Sequence, residues 1–446
     1  MEGETHHAAA TAGTLPVVLS AVLGRGSVRQ VRSMSGTAGS AGDGNRRYDV
    51  IVVGARCAGA PTAMLLARLG HRVLLVDRAT FPSDTISTHL IHPPGLAALQ
   101  RWGLLEKVVA TGCPPIDTYA FDLGALAIAG SPAGEGFDAS RAPRRTVLDK
   151  ILVDAAAESG AEVREGFTVD GLLDDGTAVT GIKGHAKDGG RSVDEAGVVV
   201  GADGIHSSVA RATGAADYAG KPKINAYYYA YWAGLPMDGT YEAYDRGDCA
   251  FAAWPTNEDL TMVVCGWPMR DFEAKRGDVE GNYHATLARA PAFAERVAQA
   301  TRAERIVGTA IPNYFRKPYG PGWVLVGDAG YLKDPITAQG IQDAFQDAER
   351  CAQALDDVLA GRRSFDDAMG GAQKARDDQV TSMYEFTAQF ATMEPPPPEM
   401  RDMLLAVSRS PAACDEFVRV TAGMTPPEEF FGHMQERMDH RMPDAA

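Results

Sequence analysis

The stretch from Tyr48 to Asp77 restricts the fold of this chain more than any other. Tyr48 to Val53 is a compact apolar run with β-branched residues and no alternation, closed by Gly54. Such a run suits a strand buried on both faces, as in the middle of a parallel sheet. Ala58 to Leu69 follows with helical content and stops at Gly70, a residue suited to the position just past a helix end. Arg72 to Val76 is a second apolar strand, ended by Asp77. Strand, tight turn, helix and strand form a βαβ unit, the opening of a doubly wound sheet.

At 446 residues the chain exceeds what one hydrophobic core usually supports. Further elements follow the opening unit. Thr118 to Ala129 reads as strands, Thr146 to Ala157 as a helix, and Ala161 to Val169 as one short strand. Ala196 to Val200 is a buried strand ending in Gly201, and Trp323 to Val326 is another. Between them, Ala226 to Trp267 alternates, is rich in aromatics and is broken by turn residues, which predicts antiparallel sheet. Helix follows from about Gln339, and after Ser364 the chain is mostly helical, interrupted by Pro395 to Pro398. Parallel α/β elements thus flank antiparallel sheet. The expected fold class is α/β: a Rossmann-type cofactor domain with an inserted antiparallel-sheet substrate domain and a helical C-terminal region. The expected boundaries are 47–117, 143–219 and 311–363 for the cofactor domain. Residues 118–142 and 220–310 form the substrate domain, and 364–446 the helical region. Residues 1–46, rich in Ala, Gly, Ser and Thr, are expected to be a disordered extension.

Three short motifs each follow an expected buried strand. In Gly54-Ala55-Arg56-Cys57-Ala58-Gly59, Gly54 permits a tight turn and Gly59 lets helix and strand pack closely. The helix N-terminus offers unpaired N–H groups to a pyrophosphate. Asp77, 23 residues after Gly54 and followed by Arg78, is placed to accept hydrogen bonds from ribose hydroxyls. Arg56 stands where the usual fingerprint has glycine. Its side chain must either point away or meet the phosphate itself. The second motif is Gly201-Ala202-Asp203-Gly204, which reads as a ligand site at a strand end or as a turn whose Asp caps the next helix. The third is Gly327-Asp328-Ala329, running on to Asp334-Pro335 and Gln339-Gly340-Ile341-Gln342-Asp343. An acid at a strand end can bind a polyol, and the following helix N-terminus can face a developing negative charge.

Taken together, these segments resemble the signatures of flavoprotein monooxygenases similar to para-hydroxybenzoate hydroxylase, a group that includes geranylgeranyl-reductase-like proteins and flavin-dependent halogenases. The resemblance spans about residues 48 to 345. It implies an FAD-binding oxidoreductase in which Gly54, Gly59 and Asp77 bind the ADP half of FAD, with Ala55, Arg56 and Arg78 also among the cofactor-binding residues. Arg145, in Arg145-Thr146-Val147-Leu148-Asp149, would meet the pyrophosphate region; the alternative is a helix-start arginine in solvent. Asp203 and Gly204 would serve FAD and NAD(P)H. Gly327 and Asp328 would bind the ribityl chain, and Pro335 would line the flavin ring. Gly340 and Ile341 would present N–H groups to its N1/O2 edge. The implied reaction is hydroxylation or epoxidation of a small organic substrate through a flavin hydroperoxide, with NAD(P)H and dioxygen. His89 and His92, in the polar stretch Asp84 to His92, are candidates for proton transfer. Capping and turning the chain is the alternative for both.

Two other readings share these motifs: a flavin reductase of carbon–carbon double bonds and a non-catalytic flavin-binding protein. The halogenase branch carries a Trp-x-Trp-x-Ile-Pro segment that none of the five tryptophans supplies. Tyr227, Tyr229 and Tyr231 share one face of a strand and Tyr228 and Trp232 the other. One face is expected to line a cavity. The net charge of −15 disfavours a nucleic-acid partner. No apolar run is long enough to span a bilayer. Six scattered cysteines without a Cys-x-x-Cys pair suit reduced thiols in a cytoplasmic protein. No histidine spacing suggests a metal. A homo-oligomer and a separate flavin reductase are partners this reading allows.

Overall fold

The computed structural model describes residues 47–439; the expected N-terminal extension, residues 1–46, lies outside them. The opening βαβ unit forms as expected. Arg47–Val53 is a strand, Gly59–Arg68 a helix and Val73–Asp77 a strand parallel to the first. Val50, Ile51 and Val52 are fully buried, as a strand covered on both faces requires. Five strands run parallel in the order Trp323–Leu325, Arg191–Gly201, Arg47–Val53, Val73–Asp77 and Glu162–Glu165. Helices Gly59–Arg68, Arg145–Glu158 and Gly340–Leu359 pack together on one face, burying Met64, Leu66, Leu148, Leu152, Phe345 and Leu355.

Ala161 to Val169 is not one strand. Gly166 has φ 66° and breaks it into Glu162–Glu165 and Phe167–Asp174. The second piece pairs with Val179–Ala186, which returns antiparallel to Arg191–Gly201. The strand expected at Ala196 therefore begins at Arg191, because a hairpin partner extends it past its apolar run.

A second sheet runs in the order Thr301–Arg302, Asn225–Ala233, Leu260–Pro268, Ala250–Pro255, Thr240–Asp245, Thr118–Asp122 and Ala127–Gly130, with Val307–Thr309 also against Asn225–Ala233. It is antiparallel except where Thr240–Asp245 runs parallel to Thr118–Asp122. That junction joins the two sequence-distant parts of the sheet. Helices Met269–Lys275, Val279–Leu287 and Pro291–Gln299 interrupt the stretch expected to be sheet alone. Tyr283, Leu287, Phe293 and Val297 of the latter two cover the back of the sheet at Trp232, Phe251, Val263 and Trp267. A sheet apolar on both faces must be covered twice, and these helices supply the outer cover.

Beyond Ser364 the chain is helical at Phe365–Phe390, Pro398–Ser408, Pro411–Thr421 and Pro427–Asp439. Pro398 opens a new helix, at the position where its missing N–H costs nothing. Pro398–Ser408 and Pro411–Thr421 pack on the edge strand Ala127–Gly130, while Phe365–Phe390 packs on Gly340–Leu359. No described helix is long and apolar enough to cross a membrane.

Candidate active site

The carboxyl ends of the parallel strands open onto a cavity of about 900 Å³ whose other wall is the second sheet. Open α/β sheets place ligands at this end. Gly54 turns the chain there with φ 102°, and a Cβ on it would lie 2.4 Å from the Ala202 carbonyl oxygen. A Cβ on Gly59 would lie 1.8 Å from the Gly54 carbonyl oxygen. Only glycine lets these three backbone segments close on one another. The Asp77 carboxylate accepts the Ala55 N–H at 2.7 Å on one oxygen and the Ala79 N–H at 2.7 Å on the other. Each oxygen keeps a lone pair for a further donor. Gly54, Arg56, Asp77 and Arg78 line the cavity, whereas Ala55 and Gly59 sit behind it.

Arg56 points aside. Its guanidinium donates to Asp149 at 2.5 Å, to the Ser83 hydroxyl at 3.1 Å and to the Ser83 and Asp84 carbonyls at 3.3 Å. The turn thus tolerates a side chain in place of glycine because fixed acceptors hold it against the cavity wall. Asp149, fully buried, also accepts both ends of the Arg145 fork at 2.9 and 3.1 Å. Arg145 is therefore not a solvent arginine: it is buried and lines the cavity. Burial works against its charge, but Asp149 beside it outweighs that and holds its pKa above the ordinary range. The i,i+4 spacing of Arg145 and Asp149 was a signal for this pair. The link to Arg56 had none.

Asp203 lines the cavity, yet its carboxylate accepts from the Ser207 hydroxyl at 2.5 Å, the Ser208 N–H and hydroxyl at 2.6 and 2.7 Å, and the Val209 N–H at 3.3 Å. It takes the first N–H groups of the helix Ser208–Thr213, whose N-cap is Ser207. Gly204 follows with φ 74° and open space where a side chain would stand.

The third motif makes the opposite corner. Gly327 has φ 57° and donates its N–H to Asp347 at 2.8 Å. The Asp328 carboxylate is exposed to the cavity. The surrounding protein pushes its pKa upward, with Arg145 pulling it down and Asp343 pushing it up. Pro335, Gly340 and Ile341 line the cavity. Gly340 begins a 20-residue helix with no side-chain cap and no atom within 4 Å of the place a Cβ would take. Its first N–H groups and the positive end of its dipole face the space.

His89 and His92 do not line the cavity. His92 is buried between the Tyr119 hydroxyl at 2.8 Å and the Thr337 carbonyl at 3.1 Å, and burial lowers its pKa to about 4. His89 is buried against Tyr231, its Nε2 hydrogen-bonded to that hydroxyl and its Nδ1 without a partner. Burial, then Arg145 and Arg144, keep it neutral well below the ordinary histidine range. Both rings join the chain after the second strand to the second sheet, and His92 joins it also to the loop at Thr337, behind the cavity lining.

Tyr227 and Tyr229 face the cavity, with Tyr231 behind them against His89. Tyr228 and Trp232 pack outward, on Trp267 and Tyr283 respectively. Tyr227 donates to Asp334, whose second oxygen has no partner. Burial raises the Asp334 pKa to about 7. The C-terminal helices also reach the site, with Phe390 and Met393 lining it. Gln339 and Gln342 donate to the Thr421 and Ala422 carbonyls at 2.8 and 3.1 Å, so these helices brace the loop at Gly340. No local pattern in the sequence marked this contribution. Among the described residues no cluster of three or more His, Cys, Asp or Glu is placed to hold a metal, and all six cysteines are free and buried.

The chain matches the FAD binding domain family over residues 47–377. Digeranylgeranylglycerophospholipid reductase 2 of Methanopyrus kandleri is 27% identical over 362 residues, covering 77% of this chain and 85% of that protein. The 6-methylpretetramide 4-monooxygenase of Streptomyces rimosus is 28% identical over 352 residues, covering 75% and 82%. Among solved structures, a flavoprotein/dehydrogenase from Cytophaga hutchinsonii superposes with a TM-score of 0.76 at 20% identity, covering 88% of this chain and all of that one. The flavin-dependent brominase Bmp2 does so with a TM-score of 0.74 at 20% identity, covering 89% and 100%. At that identity the likeness is one of fold.

Proposed function

Since this chain belongs to the FAD binding domain family, and is thus an FAD-binding oxidoreductase, we propose that it is a monooxygenase that hydroxylates or epoxidises a small organic molecule, with NAD(P)H as electron donor and dioxygen as oxidant. The observation that carries this reading is the cavity itself. The three strand-end motifs and the aromatic face of the second sheet line one continuous space.

The residues present fit FAD. The glycine cradle at Gly54 and Gly59 closes the turn, and the following helix N-terminus and Arg145 supply positive potential for a pyrophosphate. Asp77 is oriented for ribose hydroxyls and Asp328 for a polyol. The uncapped start of the helix at Gly340 would stabilise negative charge on a bound flavin, whose ring Pro335 would line. When bound, FAD supplies the redox chemistry that activates dioxygen for oxygen transfer. The chain's own residues do the rest: Asp149 fixes Arg145, Asp203 rigidifies the turn at Gly204, and the second sheet with Phe390 and Met393 holds the substrate away from water. In this reading residues 47–117, 143–219 and 311–363 are the cofactor domain and residues 118–142 and 220–310 the substrate domain.

A reductase of carbon–carbon double bonds is the second reading, favoured by the similarity to the Methanopyrus kandleri protein. The test is stopped-flow absorbance on FAD-loaded protein, reduced anaerobically with NADH or NADPH and then mixed with oxygen and substrate. Reoxidation through a transient distinct from both oxidised and reduced flavin supports the monooxygenase. Anaerobic reoxidation by an isoprenoid alkene supports the reductase. Failure to hold FAD refutes both.

A further inference from the structure

We propose that the cavity face of the second sheet is a trough for an elongated, planar fused-ring molecule, with Asp245 accepting a hydrogen bond from a donor group at the end far from Pro335. The inference rests on the reading above and specifies its substrate class. It comes from strand register. One cross-strand row on the cavity face runs Tyr227, Gly266, Ala250, Asp245. The next runs Tyr229, Val264, Ala252, Ala243, Phe121. All of these residues line the cavity.

The floor is flat because three adjoining positions, Ala243, Ala250 and Ala252, carry no more than a methyl group. At Gly266 the open floor ends, because the Tyr227 ring lies over it, 2.8 Å from where a Cβ would stand. Tyr229 and Phe121 close the ends of the second row. Trp254 and Tyr241, stacked with centroids 5.2 Å apart, form a ridge along its side. Phe390 and Met393 of the C-terminal region complete the lining. Aromatic walls around a flat floor reward face and edge contact with a rigid ring system over a flexible chain. From Gly266, where the Tyr227 ring closes the row, to Asp245 the floor crosses two strand spacings, roughly 10 Å, about the span of three linearly fused rings.

Both ends are polar. Asp245 uses one oxygen to accept the Gly247 N–H at 2.7 Å. At the other end Tyr227 donates to Asp334, which is 1% exposed and whose Oδ2 has no partner.

The experiment titrates FAD-loaded protein with 2,6-dihydroxyanthraquinone, 2-hydroxyanthraquinone and farnesol, following the flavin absorbance and tryptophan fluorescence. The expected result is that both anthraquinones bind at least tenfold more tightly than farnesol. Ala252→Leu, which fills the floor, should weaken both by tenfold or more with FAD content unchanged; Ala243→Leu repeats the test should the first variant fold poorly. Asp245→Ala should weaken the dihydroxy compound by about tenfold, the size of one hydrogen bond to a charged group, and the monohydroxy compound much less. Tighter binding of farnesol, no anthraquinone binding, or anthraquinone binding indifferent to a filled floor overturns the trough. An equal effect of Asp245→Ala on both anthraquinones overturns the anchor. Since FAD content is read in the same samples, loss of the trough is distinguished from loss of the flavoprotein reading.

Discussion

Gly59→Ala tests whether the dinucleotide turn is held by close backbone contact. The new methyl carbon would lie 1.8 Å from the Gly54 carbonyl oxygen and 2.9 Å from the Ala202 side chain. To reach even 3.0 Å from that oxygen, the start of the helix must retreat by about 1.2 Å. Backbone lies on the near side, and Gly54 is itself pinned by its N–H to the Val76 carbonyl at 2.8 Å, so the neighbour has little room to yield. Overpacking of this kind costs about 1–3 kcal/mol, and two rigid backbone segments place this case at about 3 kcal/mol. The helix N–H groups that would meet the pyrophosphate move with the helix. An FAD affinity loss of at least tenfold is therefore expected, rising to about 150-fold if the whole cost falls on binding. The assay is FAD binding by flavin fluorescence alongside thermal unfolding of the FAD-free protein. Gly432→Ala is the control: it lies in the helix Pro427–Asp439 with nothing within 4 Å of the new carbon, and it should stabilise by up to about 1 kcal/mol. Wild-type FAD affinity and melting temperature in Gly59→Ala would refute the argument.

Three further outcomes follow from the buried charges. Arg145→Met leaves fully buried Asp149 with Arg56 as its remaining ion-pair partner, and should cost about 3–5 kcal/mol in chemical denaturation. Adding Asp149→Leu should restore part of the stability but not FAD binding. Asp334 has a folded pKa of about 7, above its ordinary value, so its burial penalty is absent below about pH 4 and complete above pH 7. Asp334→Asn in the FAD-free protein should thus match wild type at pH 4 and exceed it at pH 8, by at most roughly 4 kcal/mol; an equal offset at both values would contradict the assignment. His92 has a folded pKa lowered to about 4, so its contribution is intact above pH 6.5 and is lost as pH falls toward 4. His92→Phe should cost about 1–3 kcal/mol at pH 8 and show a shallower acid limb in thermal melts.

The sequence alone determined the doubly wound sheet and the order of its strand-end motifs, and it was the family resemblance carried by those motifs that pointed to FAD. Each of these is written locally. A buried strand needs a continuous apolar run, a tight turn needs glycine at Gly54 and Gly59, and acids at Asp77 and Asp328 need only the strand before them. The helical C-terminal region and the sheet from Ala226 to Trp267 were legible for the same reason, as periodicity within a few residues. What the tertiary structure decided depends on partners far along the chain. Period-two alternation separated Tyr227 and Tyr229 from Tyr228, but which face met the cavity depended on the helices from 279 to 299 covering the other one. Arg56 turned aside because Asp149, 93 residues later, accepts it. His89 and His92 read as candidate acids and bases because imidazole titrates near neutral pH. The structure buries them against Tyr231, Tyr119 and Thr337, behind the cavity lining, where burial favours the neutral rings. The trough floor is likewise invisible in sequence, since Ala243, Ala250, Ala252 and Gly266 adjoin only after three strands pair in register. Local backbone demands are encoded in neighbouring residues, whereas burial and charge pairing belong to the assembled space, and that is where the chemistry of this site was settled.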